Sequence, residues 1–120
     1  MKERVAILGA SDNPERYSYK AMEMLEENGH EAILVSPRYQ EIEGKPVHAD
    51  LTSLKGIDTL TLYVNAEISS KMKDQILNLK PKRVIFNPGS ENPSLEKLLT
   101  DSGIAFEEAC TLVLLRTNQF

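Results

Sequence analysis

The stretch Val5-Ala6-Ile7-Leu8-Gly9-Ala10-Ser11-Asp12-Asn13-Pro14-Glu15-Arg16-Tyr17-Ser18 decides the fold. Its opening apolar run is short enough for a buried parallel strand, and it stops at a glycine. A polar loop then leads into a segment where Ala21, Met24 and Leu25 fall on one helical face. Further runs of the same kind stand at residues 32–35, 60–64, 84–86 and 104–106, so successive starts are separated by 27, 28, 24 and 20 positions, the spacing of strand–helix–strand units. Ile68, Met72, Ile76 and Leu79 predict one helical face in the third connection, and Leu95, Leu98 and Leu99 another in the fourth. Gly29 and Gly103 are placed as residues just past helix ends, and Asn92-Pro93 as an N-cap followed by proline in the first helical position. The second connection, residues 38–56, holds Pro46, two glycines and little helical periodicity; it reads as loop with at most one helical turn near residues 51–54. A last short helix is predicted over residues 111–116.

Alternating strands and helices with short connections require a parallel sheet covered on both faces. The expectation is a single Rossmann-like three-layer α/β sandwich, with a five-stranded parallel sheet of order 3-2-1-4-5. Its 120 residues, 41% of them apolar, suit one domain over residues 1–120 that buries roughly two thirds of its unfolded surface. A formal charge of −4 gives no basic field for a phosphate backbone, so nucleic acid is not expected as a partner. The longest apolar stretches are four or five residues, far short of the ~20 that cross a bilayer, so no membrane is expected either. One cysteine, Cys110, and no leader pattern at the start read as a cytoplasmic protein.

In such sheets ligands bind at the carboxyl ends of the strands, where connections depart toward opposite faces. After the first strand, Gly9 allows a tight turn and a close approach, Ser11 and Ser18 offer hydroxyls, and a helix start offers N–H groups to a phosphate. The alternative for this loop is that Gly9 only shapes the turn and Ser18 only caps the helix. Ser11 and Pro14 occupy positions where a dinucleotide fingerprint carries glycine. After the second strand, Ser36-Pro37-Arg38 places an arginine where a diol-binding carboxylate would sit, which favours a phosphorylated ribose. The 2′-phosphate of NADP and the 3′-phosphate of coenzyme A (CoA) both meet that demand. The fourth strand runs into Asn87-Pro88-Gly89, a tight turn with polar flanks, and Asn65 stands similarly after the third. His30 and His48 have no partners in sequence that would suggest a metal site or a nucleophilic triad, and no paired carboxylates suggest acid–base work.

With these residues in place, the whole chain resembles the small stand-alone CoA-binding domain family, Rossmann-like proteins related to the N-terminal domain of the succinyl-CoA synthetase α subunit. The likeness rests on residues 5–11 with Arg16-Tyr17-Ser18, Val35-Ser36-Pro37, Ile42-Glu43-Gly44 and His48, Asp58, Phe86-Asn87-Pro88-Gly89, and Cys110. The resemblance implies coenzyme A or an acyl-CoA as ligand. Gly9, Ala10, Ser11, Arg16, Tyr17 and Ser18 would contact phosphates or nucleotide. Pro37 and Arg38 would border the adenosine and 3′-phosphate, with Asn65 alongside and the pantetheine running toward Asn87, Pro88 and Gly89. The synthetase relatives work through a phosphorylated histidine in a second domain and an ATP-grasp partner, neither of which fits in 120 residues. The expectation is therefore a non-catalytic binding or accessory module, compatible with a homodimer or a separate catalytic partner. The alternative is an NADP-dependent oxidoreductase or another nucleotide-using enzyme.

Overall fold

The computed structural model describes residues 2–120. Along the chain run β1 (Arg4–Leu8), α1 (Tyr17–Glu27), β2 (Glu31–Val35), β3 (Glu41–Ile42), β4 (Lys45–His48), β5 (Thr59–Leu62), α2 (Ala66–Lys71), α3 (Lys73–Leu79), β6 (Arg83–Phe86), α4 (Pro93–Asp101), β7 (Ala105–Glu108) and α5 (Thr111–Arg116). They build one seven-stranded sheet of order β3-β4-β2-β1-β5-β6-β7, parallel throughout except for the β3–β4 pair. No helix is long and apolar enough to cross a membrane among the described residues.

Alternation along the strands divides the core. Ala6 and Leu8 of β1, with Leu60 and Leu62 of β5, pack against Ile76 of α3 and Leu95 and Leu99 of α4. Val5 and Ile7 point the other way and meet Tyr19, Met22 and Leu25 of α1 and Leu115 of α5. β1 is buried on both faces, as parallel strands are, and this is why its sequence is a continuous apolar run.

The α/β layering is as expected, but the five-stranded sheet of order 3-2-1-4-5 is corrected. The run at residues 60–64 pairs beside β1, not outside β2. The place outside β2 belongs to β4, inside the segment read as loop. That strand escapes a search for apolar runs because its sequence, Lys45-Pro46-Val47-His48, holds one apolar strand former, and it meets β2 at only two positions, Leu34 with Val47 and Val35 with His48. Carrying this register further back would need an N–H at position 46 for the Ala32 carbonyl, and Pro46 has none. β3 returns against β4 through a two-residue turn in which Glu43 (φ 52°) and Gly44 (φ 77°) are both left-handed, the geometry that matches strand twist in a hairpin. Residues 51–54 make a turn closed by Leu54 N–H on Leu51 C=O, 3.1 Å.

Helix ends follow the sequence more closely. Gly29 and Gly103 take positive φ just past α1 and α4, and Asn92 caps α4 ahead of Pro93. The single face expected through Ile68 is interrupted: the helix breaks at Met72 into α2 and α3, Ser69 turns inward, and Ile68 is left 43% exposed.

Candidate functional site

Because β1, β2, β4, β5, β6 and β7 are parallel, their carboxyl ends share one edge. The loops at residues 9–16, 36–40, 63–65 and 87–92 all leave from it. Gly9 and Ala10 both donate their N–H to Val35 C=O, at 3.0 and 3.2 Å, which folds the first loop back over β2. Gly9 has φ 97°, and a Cβ there would stand 2.8 Å from the carbonyl oxygen of Tyr63. The glycine is thus required where the exits of β1 and β5 cross, whatever else approaches it. Beyond it, Ser11 Oγ accepts from Asn13 N–H (3.1 Å), Asn13 Oδ1 accepts from Glu15 N–H (3.0 Å), and Arg16 N–H donates to Asn13 C=O (3.0 Å). These consecutive turns deliver the chain into α1.

The start of α1 differs from those of α2 and α4. Asn65 accepts from Ile68 N–H (3.0 Å) and Asn92 from Leu95 N–H (3.2 Å), and Glu67 and Glu96 lie in those first turns. α1 has Arg16 as N-cap with no side-chain hydrogen bond and no acidic residue in its first turn. Its first N–H groups and its positive dipole end therefore lack a counterpart from the side chains around them. Ser18 is the second residue of α1 and buried, so it does not cap the helix; Tyr17 beside it is exposed. On the neighbouring loop, Ser36 Oγ is buried and accepts from Arg38 N–H (3.2 Å), while Ser36 N–H donates to His48 C=O (2.8 Å). That tether leaves Pro37 and Arg38 exposed. Neither Arg16 nor Arg38 has an acidic partner within ion-pair distance among the described residues.

Around β6 the polar residues divide into two kinds. Asn87 is buried and turned inward: its amide donates to Thr61 Oγ1 (2.7 Å) and Leu62 C=O (2.8 Å) and accepts from Thr111 N–H (2.9 Å). Thr61 and Thr111 hydroxyls share a further bond of 2.8 Å. All of the Asn87 side chain is engaged in joining β5, β6 and α5. Pro88 and Gly89 stay exposed, with the Gly89 N–H held by Glu91 Oε1 at 3.0 Å. Asn92 donates to Ala66 C=O (3.2 Å), Ser69 Oγ (2.8 Å) and Ser70 Oγ (3.0 Å), fastening α4 to α2. Glu96 is raised above the usual carboxylate range, first by burial and then by the neighbouring Glu108 carboxylate.

Tyr63 was not singled out from the sequence, where it sits inside an apolar strand pattern. Its hydroxyl is buried without a hydrogen-bond partner among the described residues, and burial pushes its pKa up to about 12. Its backbone also donates to Leu8 C=O at 2.8 Å, which ties this residue to the same crossing as Gly9. Two grooves, of about 520 and 340 Å³, lie away from this edge and include none of the residues expected to bind ligand. The larger follows from the ladder that Pro46 ends, and it is flanked by the pairs Arg4–Glu31 (3.3 Å) and Lys45–Glu26 (3.2 Å). Its cause is local to β2 and β4. An elongated ligand lying across strand ends does not need an enclosed cavity, so the carboxyl edge remains the candidate site.

The sheet, its layers and this edge define a Rossmann-like α/β domain. The CoA binding domain family matches residues 3–116, and the chain belongs to that family. The crystal structure of an uncharacterized protein is 42% identical, covers 100% of this chain and 99% of its own, and superposes with a TM-score of 0.95. The cell-free ID.343 protein from Thermus thermophilus is 29% identical over 98% of this chain and 90% of its own, with a TM-score of 0.88. A dinucleotide-forming acetyl-coenzyme A synthetase from Ca. Korarchaeum cryptofilum, solved with phosphate and ADP, shares the fold at 15% identity and a TM-score of 0.75. The match covers 89% of this chain and 25% of that one.

Proposed function

We propose that residues 1–120 act as one domain that binds coenzyme A or an acyl-CoA along the carboxyl edge, as a binding or accessory module without catalysis of its own. The observation that carries this reading is the start of α1, without a side-chain cap or a first-turn acid, on the same sheet edge as Arg16 and Arg38, neither of which has a carboxylate within ion-pair distance among the described residues. Backbone N–H groups and a positive helix end suit a diphosphate, and a nearby guanidinium suits the additional phosphate on the ribose. In this arrangement Gly9, Ala10, Ser11, Tyr17 and Ser18 border the diphosphate with Arg16. Pro37 and Arg38 meet the adenosine and its 3′-phosphate, and Asn65 flanks the path of the pantetheine toward Pro88 and Gly89. Asn87 contributes by fixing that turn from below. Any group transfer would need a separate partner, in keeping with a synthetase of which this fold is only a quarter.

Thermal melts with CoA, dephospho-CoA, NADP and NAD test the assignment. CoA is expected to raise the melting temperature most, and dephospho-CoA clearly less, because it lacks the phosphate assigned to Arg38. Arg38→Ala should weaken CoA by about tenfold, the loss of one charge-assisted hydrogen bond, and leave dephospho-CoA unaffected. Equal shifts for CoA and dephospho-CoA would remove the role of Arg38, and a larger shift with NADP would replace the ligand.

A further inference from the structure

The larger groove, of about 520 Å³, has the size of a small-ligand site, for which roughly 300–1,000 Å³ is usual. It opens between β2 and β4, inside the sheet and not at either margin. Successive residues of a strand turn their backbone groups to alternate neighbours. Glu31 N–H goes to Glu3 C=O (2.9 Å) on the β1 side, and Ser36 N–H goes to His48 C=O (2.8 Å) on the β4 side. Ala32 has the parity of Ser36, so its N–H and C=O both face β4. Neither finds a backbone partner there among the described residues: Pro46 has no N–H for the Ala32 carbonyl, and β4 pairs with β2 no further back than Val47. Ala32 itself lines the groove. The sheet thus keeps a strand edge one residue long in its interior, with both hydrogen-bonding groups free.

Charge decides what kind of chain this edge suits. Five charged side chains line the groove: Arg4, Glu26, Glu31, Lys45 and Lys55. Arg4 pairs with Glu31 (3.3 Å) and Lys45 with Glu26 (3.2 Å), which engages both acids. Lys55 is exposed and has no acid within ion-pair distance among the described residues. Arg4 also donates to the Lys55 carbonyl, and Arg4 stands opposite Glu31 in the β1–β2 register, so Lys55 is pinned beside the open end of β2. Ile33, Pro46 and Leu54 supply apolar wall between these charges.

We propose that this groove binds the carboxyl end of an extended peptide from a partner protein. One peptide residue set opposite Ala32 in the antiparallel sense exchanges both backbone bonds with it, and the terminal carboxylate meets Lys55. A main chain fits because it brings a donor and an acceptor at strand spacing, and a carboxyl end fits because the unmatched charge is positive. The proposal stands apart from the CoA assignment, which concerns the opposite edge of the strands.

Amide exchange and chemical shifts of the ¹⁵N-labelled full chain test it. The probe is a pool of N-acetylated tetrapeptides randomised over alanine, valine, leucine and serine, with free carboxyl ends, beside the same pool amidated. In the free protein the Ala32 amide should exchange at least roughly tenfold faster than that of Ile33, which faces β1. The free-acid pool at millimolar concentration should shift the Ala32 resonance and slow its exchange by roughly tenfold at nine-tenths occupancy. Lys55→Glu should weaken the free-acid pool by about tenfold and leave the amidated pool as in wild type. Pro46→Val restores an N–H that can close the ladder on Ala32, and should abolish binding in a protein whose melting curve shows it folded. No shift at Ala32, equal binding of the two pools, or Pro46→Val binding as wild type does would overturn the proposal. A self-associated wild type with Ala32 already protected would place a second copy in the groove and overturn it as well.

Discussion

The two edges of the sheet are built from similar residue types and treat them in opposite ways. At the amino edge the two strand arginines, Arg4 and Arg83, are spent on the protein itself. Arg83 donates to Thr59 Oγ1 (2.8 Å) and to the carbonyl oxygen of Phe120 (2.9 Å), stands 3.6 Å from both Glu3 and Glu107, and lies 4.4 Å from the centre of the Phe120 ring. Arg4 pairs with Glu31 and reaches the Lys55 carbonyl, and Asp58 takes the Arg4 N–H at 2.8 Å and Lys82 at 3.2 Å. His30 Nδ1 accepts from Glu3 N–H at 3.0 Å and packs on Phe120. At the carboxyl edge Arg16 and Arg38 have no such partners among the described residues, and the loops satisfy their own backbone by local turns. Composition alone does not separate an arginine that staples from one left unpaired; the side chains that the fold gathers around it do.

The strongest way to break this contrast is at the crossing of β1 and β5. Gly9→Ala puts a methyl 2.8 Å from the Tyr63 carbonyl in a left-handed residue, and should cost about 2–4 kcal/mol in denaturant melts and abolish ligand-induced stabilisation. A loss under about 0.5 kcal/mol would mean that the two exits are free to separate, and the edge would not be preformed. Next in size is a paired measurement. Arg83→Ala should lower stability by about 1–2 kcal/mol and leave CoA affinity as in wild type, while Arg38→Ala should change stability by less than about 0.5 kcal/mol. Swapped outcomes would invert the roles of the edges.

The smallest effect sharpens the comparison through pH. Asp58 is held below the usual carboxylate range, first by the Arg4 N–H and then by Lys82, so its contribution is complete above about pH 4 and fades as pH falls through its lowered value. Glu96 is raised by burial and by Glu108, so its contribution is complete at low pH and fades as pH rises above the usual range. In urea melts across pH 3–8, Glu96→Gln should gain on the wild type as pH rises, and Asp58→Ala should lose less against it as pH falls below 4. Parallel curves for either variant would show that the carboxyl group is not perturbed in the fold.

Those parts of the fold that rest on continuous apolar runs were legible in the sequence, because β1, β2 and β6 are covered on both faces and cannot hide a polar position. β4 was not, since it meets β2 at only two residues and its side chains carry no alternation to detect. Ile68 was misplaced for a related reason: helical spacing gives a face, but Asn65 and the break at Met72 decide how that face is rotated. The gathering of the candidate loops at one edge followed from parallel strands. That Asn87 points into the sheet did not, because its partners Thr61 and Thr111 are 26 and 24 residues away and become neighbours only when the chain is folded.

The flanks of the sheet carry a consequence for crowded solutions. One outer margin is β7, whose Glu107 and Glu108 are exposed, and the other is the two-residue β3 laid over a strand that contains Pro46. A strand offered by another molecule meets paired negative charge on one side and, on the other, a ledge too short to hold it. Both margins of the sheet thus oppose lateral pairing with a strand from another molecule.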